Sequence, residues 1–343
     1  MATESKTNYS EAQVAITLAS IAYLRGNTQS ETFTKMAKAL QQTDLPTQGQ
    51  WGLVWGPVTY ESDLMYIVQG PQTRYGRKYA VVIRGTIWTP TSILQDLELS
   101  LDDLPWNDPN APSGTKISRG IVKAFNRLLA MSQKAPGGGQ ETALEFLQRQ
   151  KGRNEIFVTG HSLGGCLASV VPLWLKTELS SKGDTIRAYT FAGQSAGNQQ
   201  FANYFASTFN NPIRYYNQID IVPRLWNYDT LESIKQLYPN GPKCDWFYSG
   251  LVDAALYAAG HNFFQPDNGT SLPGKVYDEN GWFPFADEIE AQHDHIYYMY
   301  LMGIPLKVIQ GSPLHPGLGA GWWPPGAKVN PEYDPDLDYQ VAV

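Results

Sequence analysis

The chain has 343 residues, of which 42% are hydrophobic and 17% are charged, and its net charge is −6. This apolar content is too high for intrinsic disorder, and the negative charge argues against nucleic-acid binding, which needs a basic face. The longest apolar run, 166–175, is far shorter than the roughly 20 residues of a membrane-spanning helix. The N-terminus lacks the basic-then-apolar order of a signal peptide. We therefore expect a soluble chain without a transmembrane segment or a nucleic-acid partner, either cytoplasmic or secreted after removal of a signal.

Helical and strand-like patterns follow one another along the chain. Ser10 and Gln13 form a capping box at the start of the first helical pattern. The apolar periodicity predicts helices over 10–24, 30–42, 120–132, 140–150, 163–179 and 198–209, and strand-like segments over 52–68, 78–83, 156–158, 186–191 and 213–216. Strand and helix alternate from about residue 78 to residue 216, which is typical of an α/β sheet.

The C-terminal third is less regular. Residues 226–290 are rich in Trp, Tyr and Pro and form an irregular insert on the core, and residues 311–343 are rich in Gly and Pro and predict a surface coil. No linker divides the chain. We expect one domain over 1–343, with its core at about 50–300.

The strongest chemical signal is the G-x-S-x-G pentapeptide Gly160-His161-Ser162-Leu163-Gly164. This pattern is typical of a nucleophile elbow, a tight strand-to-helix turn that exposes a serine hydroxyl. The following helix would direct its N-terminal N–H groups at the hydroxyl, where negative charge develops during acyl transfer.

A second G-x-S-x-G pattern centres on Ser195, also between a predicted strand and a predicted helix. The helix after Ser162 is apolar nearly all round, so we expect it to be buried beside the sheet. The helix after Ser195 begins with polar side chains and is partly solvated. We therefore predict that Ser162 is the nucleophile and Ser195 a turn residue.

A serine nucleophile needs a base within hydrogen-bond reach and an acid that orients this base. Asp220 is the candidate acid, because it follows a predicted strand and a proline stops the chain shortly after it. His161 lies inside the elbow and would point elsewhere.

The remaining histidines differ in their surroundings. His315 lies in the coil tail and His261 in the insert, where surface and structural roles are expected. His293 and His295 enter an apolar run together, and the residues alone do not choose between them. Without thiolates or further histidines nearby, the pair does not predict a metal site.

Six segments in this order resemble motifs of the class 3 lipases, the fungal-lipase-like branch of the α/β-hydrolases. They are 83–86 (IRGT), 92–97 (SILQDL), 160–165 (GHSLGG), 190–198 (TFAGQSAGN), 217–225 (NQIDIVPRL) and 294–298 (DHIYY). Together they cover about residues 50–300. Ser195 falls inside the fourth motif rather than at a catalytic position.

The resemblance implies an α/β-hydrolase fold, with a mixed, mostly parallel central sheet flanked by helices. It implies Ser162 as nucleophile, Asp220 as acid and His295 as base. It also implies an oxyanion hole formed by Leu163 and Thr86. No metal or organic cofactor is needed for this chemistry.

The family also has a lid after the motif that ends at Thr86, here about 87–104. Its apolar side chains could contact acyl chains or a lipid surface; they include Trp88, Ile93, Leu94 and Leu97. The expected function is a serine hydrolase of lipid esters at an oil–water interface, foremost a triacylglycerol lipase. Three alternatives remain: a phospholipase A1 or galactolipase, an esterase of small or aromatic esters such as feruloyl esters, and a silent lipid-binding protein.

Overall fold

A computed structural model describes residues 8–74, 76–85, 98–209, 214–277 and 284–314. Predictions that involve Thr86, the lid positions Trp88, Ile93, Leu94 and Leu97, or the tail beyond residue 314 therefore lie outside the described residues. None of the helices within these ranges combines the length and the hydropathy that crossing a bilayer requires.

A seven-stranded sheet forms the centre of the described structure, with the strand order β1-β2-β3-β8-β9-β10-β11. Its strands are β1 (Gly52–Tyr60), β2 (Asp63–Gln69), β3 (Lys78–Arg84), β8 (Glu155–His161), β9 (Thr185–Phe191), β10 (Arg214–Asn217) and β11 (Gly269–Leu272). The first three are antiparallel, and β3, β8, β9, β10 and β11 run parallel to one another. The expected mixed, mostly parallel sheet is therefore present.

Helices and two small hairpin-like sheets complete the described part of the chain. The helices are α1 (Glu11–Ile21), α2 (Gln29–Leu40), α3 (Arg119–Ala130), α4 (Ala143–Gln148), α5 (Leu163–Glu178), α6 (Gln199–Thr208), α7 (Tyr228–Glu232), α8 (Trp246–Ala259), α9 (Phe285–His293), α10 (His295–Leu301) and α11 (Leu306–Gln310). The small sheets pair β4 (Leu101–Asp103) with β5 (Lys116–Ser118), and β6 (Ser132–Lys134) with β7 (Gln140–Thr142).

The central strands are buried on both faces, as their unbroken apolar sequences predict. Val81 and Ile83 of β3 pack into the core shared with α3, α4 and α5, whereas Ala80 and Val82 pack into the core shared with α1, α2 and α10. This alternation follows from the period of two along a strand. The parallel pairing of β3, β8, β9 and β10 places their carboxyl ends at one edge of the sheet.

Local signals set several element boundaries. The capping box of Ser10 and Gln13 is present at the start of α1. The helix predicted over 140–150 is shorter than expected, because Gln140–Thr142 pairs as β7 and Thr142 then caps α4.

The insert over 226–290 is more ordered than predicted. Its described residues contain α7, α8, the strand β11 and the start of α9, around an apolar core of their own. The strand β11 extends the central sheet by pairing in parallel with β10, from Arg214 opposite Gly269 to Asn217 opposite Leu272.

Candidate active site

Ser162 lies at the turn between β8 and α5. Its backbone has φ 63° and ψ −130°, a conformation that a residue with a side chain rarely adopts. The N–H of Ser162 donates to the carbonyl oxygen of Phe191 at 3.0 Å, which holds the turn against β9. Such strain costs of order 1–3 kcal/mol and is typical of functional sites. It places the hydroxyl at the N-terminus of a buried helix.

The glycines of the pentapeptide allow the close packing around this turn. A Cβ on Gly160 would lie 2.3 Å from the carbonyl oxygen of Gly164, and one on Gly164 would lie 2.2 Å from that of Ile83. Both distances are impossible for real atoms, so this turn needs glycine at both positions.

The structure joins Ser162 and Asp220 through a histidine. Nε2 of His293 lies 2.8 Å from Oγ of Ser162, and Nδ1 of His293 lies 2.8 Å from Oδ2 of Asp220. With Nδ1–H donating to the carboxylate, Nε2 is left free to accept the serine proton. Ser162 and Asp220, both predicted from the sequence, therefore meet in one hydrogen-bonded chain.

The predicted base, His295, is wrong, because this position is taken by His293. The ring of His295 instead stacks on Tyr23, with centroids 4.4 Å apart and an interplanar angle of 17°. The cause is the break between α9 and α10 at Asp294, whose φ of −64° and ψ of 134° are extended. His293 ends one helix and His295 starts the next, so their rings point in different directions.

A sequence signal for this break was available. Asp294 is the N-cap of α10, and its carboxylate accepts the N–H of Ile296 at 2.6 Å. An aspartate before an apolar helical run is a typical N-cap. As an N-cap, Asp294 separates the two histidines and places His293 at the end of the preceding helix.

Asp220 is fully buried and satisfied by donors on several sides. Besides His293, the hydroxyl of Tyr298 donates to Oδ2 at 2.7 Å, and the N–H of Val222 donates to Oδ1 at 2.9 Å. The hydroxyl of Tyr298 also accepts the N–H of Asn217 at 2.9 Å. A buried carboxylate needs such partners to stay ionised, since its solvation by water is lost.

A buried amide network ties the end of β10 to the last turn of α9. Nδ2 of Asn217 donates to the backbone oxygen and to Oε1 of Gln292, at 2.9 and 2.7 Å. Nε2 of Gln292 in turn donates to Glu288 at 2.7 Å and to the carbonyl oxygen of Lys275 at 2.7 Å. Because His293 follows Gln292 directly, this network fixes the histidine relative to Asp220. The supporting residues of this network were not predicted from the sequence; they are Gln292, Glu288 and Tyr298.

His161, expected to point away from the nucleophile, turns toward Tyr23. Its Nδ1 lies 3.0 Å from the hydroxyl of Tyr23, and its ring lies 4.7 Å from the ring of His293. Burial lowers the pKa of His161 well below its usual value, and burial also lowers the pKa of His295. Both rings are therefore neutral near pH 7 and add no positive charge beside His293.

Leu163, one of the two predicted oxyanion donors, is the first residue of α5 and is buried. A Cβ on Gly85 would lie 2.9 Å from the backbone nitrogen of Leu163, so the end of β3 packs directly against the elbow. The second predicted donor, Thr86, lies outside the described residues.

Ser195 occupies a buried turn before α6. Its N–H donates to the carbonyl oxygen of Leu225 at 3.3 Å, and its Oγ has no hydrogen-bond partner among the described residues. Within the same described ranges, no group of three His, Cys, Asp or Glu side chains has the geometry to hold a metal ion.

Comparison with known proteins agrees with this geometry. The family model described as Lipase (class 3) matches residues 80–230, which include β3, the elbow and Asp220. The crystal structure of M37 lipase superposes with a TM-score of 0.76 at 28% identity, covering 88% of this chain and 96% of that one. The chain therefore resembles the class 3 lipases in sequence and in fold. The α/β-hydrolase fold implied by the sequence motifs is thereby confirmed.

Two curated relatives are similar to this chain over about half of its length. A lipase of Rhizomucor miehei is 28% identical over 176 residues, which are 50% of this chain and 42% of the relative. A secreted mono- and diacylglycerol lipase of Malassezia globosa is 26% identical over 184 residues, or 50% of this chain and 55% of the relative. The chain thus spans about half the length of the curated relatives that it matches.

Proposed function

We propose that this protein hydrolyses carboxylic esters of lipids, with acylglycerols as the first substrate class. The observation that carries the proposal is the hydrogen-bonded chain from Ser162 through His293 to Asp220 at a strained strand-to-helix turn. The names of the Rhizomucor and Malassezia relatives support lipid esters as the substrates.

In the proposed mechanism, Oγ of Ser162 attacks the ester carbonyl while Nε2 of His293 takes the serine proton. Asp220 holds the imidazole with Nδ1 protonated and stabilises the imidazolium that forms. His293 then gives its proton to the alcohol oxygen as the C–O bond breaks. Water, deprotonated by His293, hydrolyses the acyl-enzyme and regenerates Ser162.

The oxyanion of the tetrahedral intermediate needs donors that are in place before the reaction. We assign one to the N–H of Leu163, because the first N–H groups of a helix have no partner within the helix. The second donor is Thr86, on the resemblance of 83–86 to the family motif. The packing of Gly85 against the backbone of Leu163 supports this assignment, since it brings the end of β3 to the elbow.

The test is hydrolysis of p-nitrophenyl esters from C2 to C16, above and below the solubility limit of the long esters. We expect Ser162→Ala to lower kcat by about 10³- to 10⁶-fold. We expect the matched variant Ser195→Ala to stay within about threefold of the wild type, because Oγ of Ser195 has no hydrogen-bond partner among the described residues. Full activity of a folded Ser162→Ala protein would refute the site.

The same assay tests the proposed lid over 87–104. A rate increase when long esters form an interface supports a lidded lipase, whereas turnover confined to C2–C4 esters identifies an esterase of small esters. Emulsions of triacylglycerol, phosphatidylcholine and galactolipid then separate a triacylglycerol lipase from a phospholipase A1 or a galactolipase.

A further inference from the structure

A cavity lies beside β10, and its walls include residues of the insert and Asp220. It has a volume of about 1030 Å³, and its walls include Arg214 and Tyr216 of β10 and Arg224 of the turn that follows. Ser162 and His293 do not line it. Ligand sites are typically about 300–1,000 Å³, so this cleft is large enough for a small molecule.

Arg214 and Arg224 bring two positive charges into this cleft, and neither forms a salt bridge within the described residues, although the carboxylate of Asp220 is near enough to act on the pKa of Arg224. Arg214 lies with its guanidinium 4.3 Å from the ring centroid of Tyr216, and its buried Nε has no hydrogen-bond partner among the described residues. Arg224 donates to Oγ of Ser233 at 2.8 Å and to the carbonyl oxygen of Gln218. Burial lowers the pKa of Arg214 to about 10 and also lowers the pKa of Arg224.

Arg214 and Arg224 are half-buried, and a charge that is partly removed from water is normally paired, because its desolvation is costly. Of the carboxylates that line the cleft, Asp220 already binds His293 and Tyr298, and Asp267 is exposed to solvent. Two arginines and two aspartates therefore line the cleft, and within the described residues neither aspartate forms a salt bridge with Arg214 or Arg224.

Gln194 is an independent observation on the adjoining wall. Its side chain is 3% exposed, and within the part of the chain that the structure describes its buried Oε1 and Nε2 have no hydrogen-bond partner. It lines a small cavity of about 10 Å³, which shares Arg214, Gln265 and Pro266 with the cleft. That volume suits about one water molecule, which would link the amide of Gln194 to a ligand in the cleft.

We propose that this cleft binds a small oxyanion, a phosphate or carboxylate group whose oxygens accept hydrogen bonds from Arg214 and Arg224. Guanidinium groups suit this role because their N–H donors match the oxygens of both groups. The carboxylate could come from a fatty acid and the phosphate from a headgroup or from solution. The site shares Asp220 with the triad, but binding there does not require hydrolysis of an ester by Ser162.

The test is calorimetric titration of the full chain carrying Ser162→Ala, which removes turnover. Inorganic phosphate and hexanoate are titrated separately, with sodium chloride at matched ionic strength as the reference. We expect saturable binding of one probe at a Kd of about 1 mM or below. Binding of phosphate identifies a phosphate site, and preferential binding of hexanoate identifies a carboxylate site.

Variants decide whether the arginines carry the binding. Arg214→Gln and Arg224→Gln are each expected to weaken the bound probe by about tenfold or more, the effect of losing one charge-assisted hydrogen bond. The matched control Arg77→Gln changes an exposed arginine on the far end of β3 and is expected to leave the Kd unchanged.

If one of the two arginine variants does not fold, the other still tests the proposal. We expect Arg214→Gln to fold with a melting temperature close to that of the parent, because Arg214 forms no salt bridge within the described residues and its loss removes only the contact with the ring of Tyr216. Either of two results would overturn the proposal: no saturable binding of phosphate or hexanoate, or binding that neither arginine variant weakens.

Discussion

The structure predicts opposite outcomes for two histidines that are only two positions apart. His293 lies 2.8 Å from both Ser162 and Asp220, whereas the ring of His295 stacks on Tyr23. We therefore expect His293→Ala to remove the general base and His295→Ala to remove only packing.

The magnitudes follow from these contacts. Loss of a triad base costs about 10³- to 10⁶-fold in kcat, so His293→Ala should lose at least three orders of magnitude with little change in KM. His295→Ala loses a stacked pair, worth about 0.5–1.5 kcal/mol, together with part of its packing. We expect an unfolding free energy lower by about 1–3 kcal/mol, and kcat/KM within about threefold of the wild type.

The assay is steady-state hydrolysis of p-nitrophenyl butyrate by both variants, with urea unfolding of each as the stability measurement. Labelling of Ser162 by a fluorophosphonate gives a second readout, since it also needs an activated hydroxyl. The reasoning is refuted if a folded His295→Ala protein loses turnover and labelling while His293→Ala keeps them.

Three further changes probe the surroundings of the site. Tyr298→Phe removes one donor to the buried carboxylate of Asp220, a hydrogen bond of about 1.5–3 kcal/mol; we expect kcat/KM of ester hydrolysis to fall about tenfold, and unchanged turnover would exclude a positioning role. Gly164→Ala forces a Cβ to within 2.2 Å of a backbone oxygen and should lower the urea-unfolding free energy by about 3 kcal/mol or more, whereas the control Gly250→Ala, which meets open space within α8, should raise it by about 0.5–1 kcal/mol. Because burial depresses the pKa of His161, only the unfolded chain binds a proton at this residue as the pH falls below the usual pKa near 6.5. The contribution of His161 to the unfolding free energy is complete above that pH and falls by about 1.4 kcal/mol per pH unit below it. Urea titrations between pH 7.5 and 5.5 should therefore show a shallower dependence of the unfolding free energy on pH for His161→Asn than for the wild type, and equal slopes would contradict the assignment.

Much of the fold could be predicted because it rests on local patterns. The strand β3 and the helix α5 have unbroken apolar sequences, and a chain segment buried on all sides allows few other structures. Ser162 was predictable for a related reason, since its turn needs glycines at positions that the sequence shows.

The strand β11 and the amide network could not be predicted in this way. Residues 269–272 (GTSL) are short and polar, and they form a strand because the edge of β10 offers unpaired backbone groups. The bond from Asn217 to Gln292 joins side chains that only the folded chain brings together. Such partners follow from tertiary packing, which a reading of single segments does not contain.

The choice of the base shows how a family pattern and a local signal can disagree. The motif resemblance pointed to the histidine after Asp294, yet Asp294 caps α10, which turns His295 toward α1 and leaves His293 at the end of α9. The cap therefore has a functional consequence: it separates one histidine that bonds Ser162 from another that is neutral and packed. Because burial also keeps His161 neutral, the imidazolium that forms on His293 has Asp220 as its charged neighbour and meets no competing cation from the other two rings.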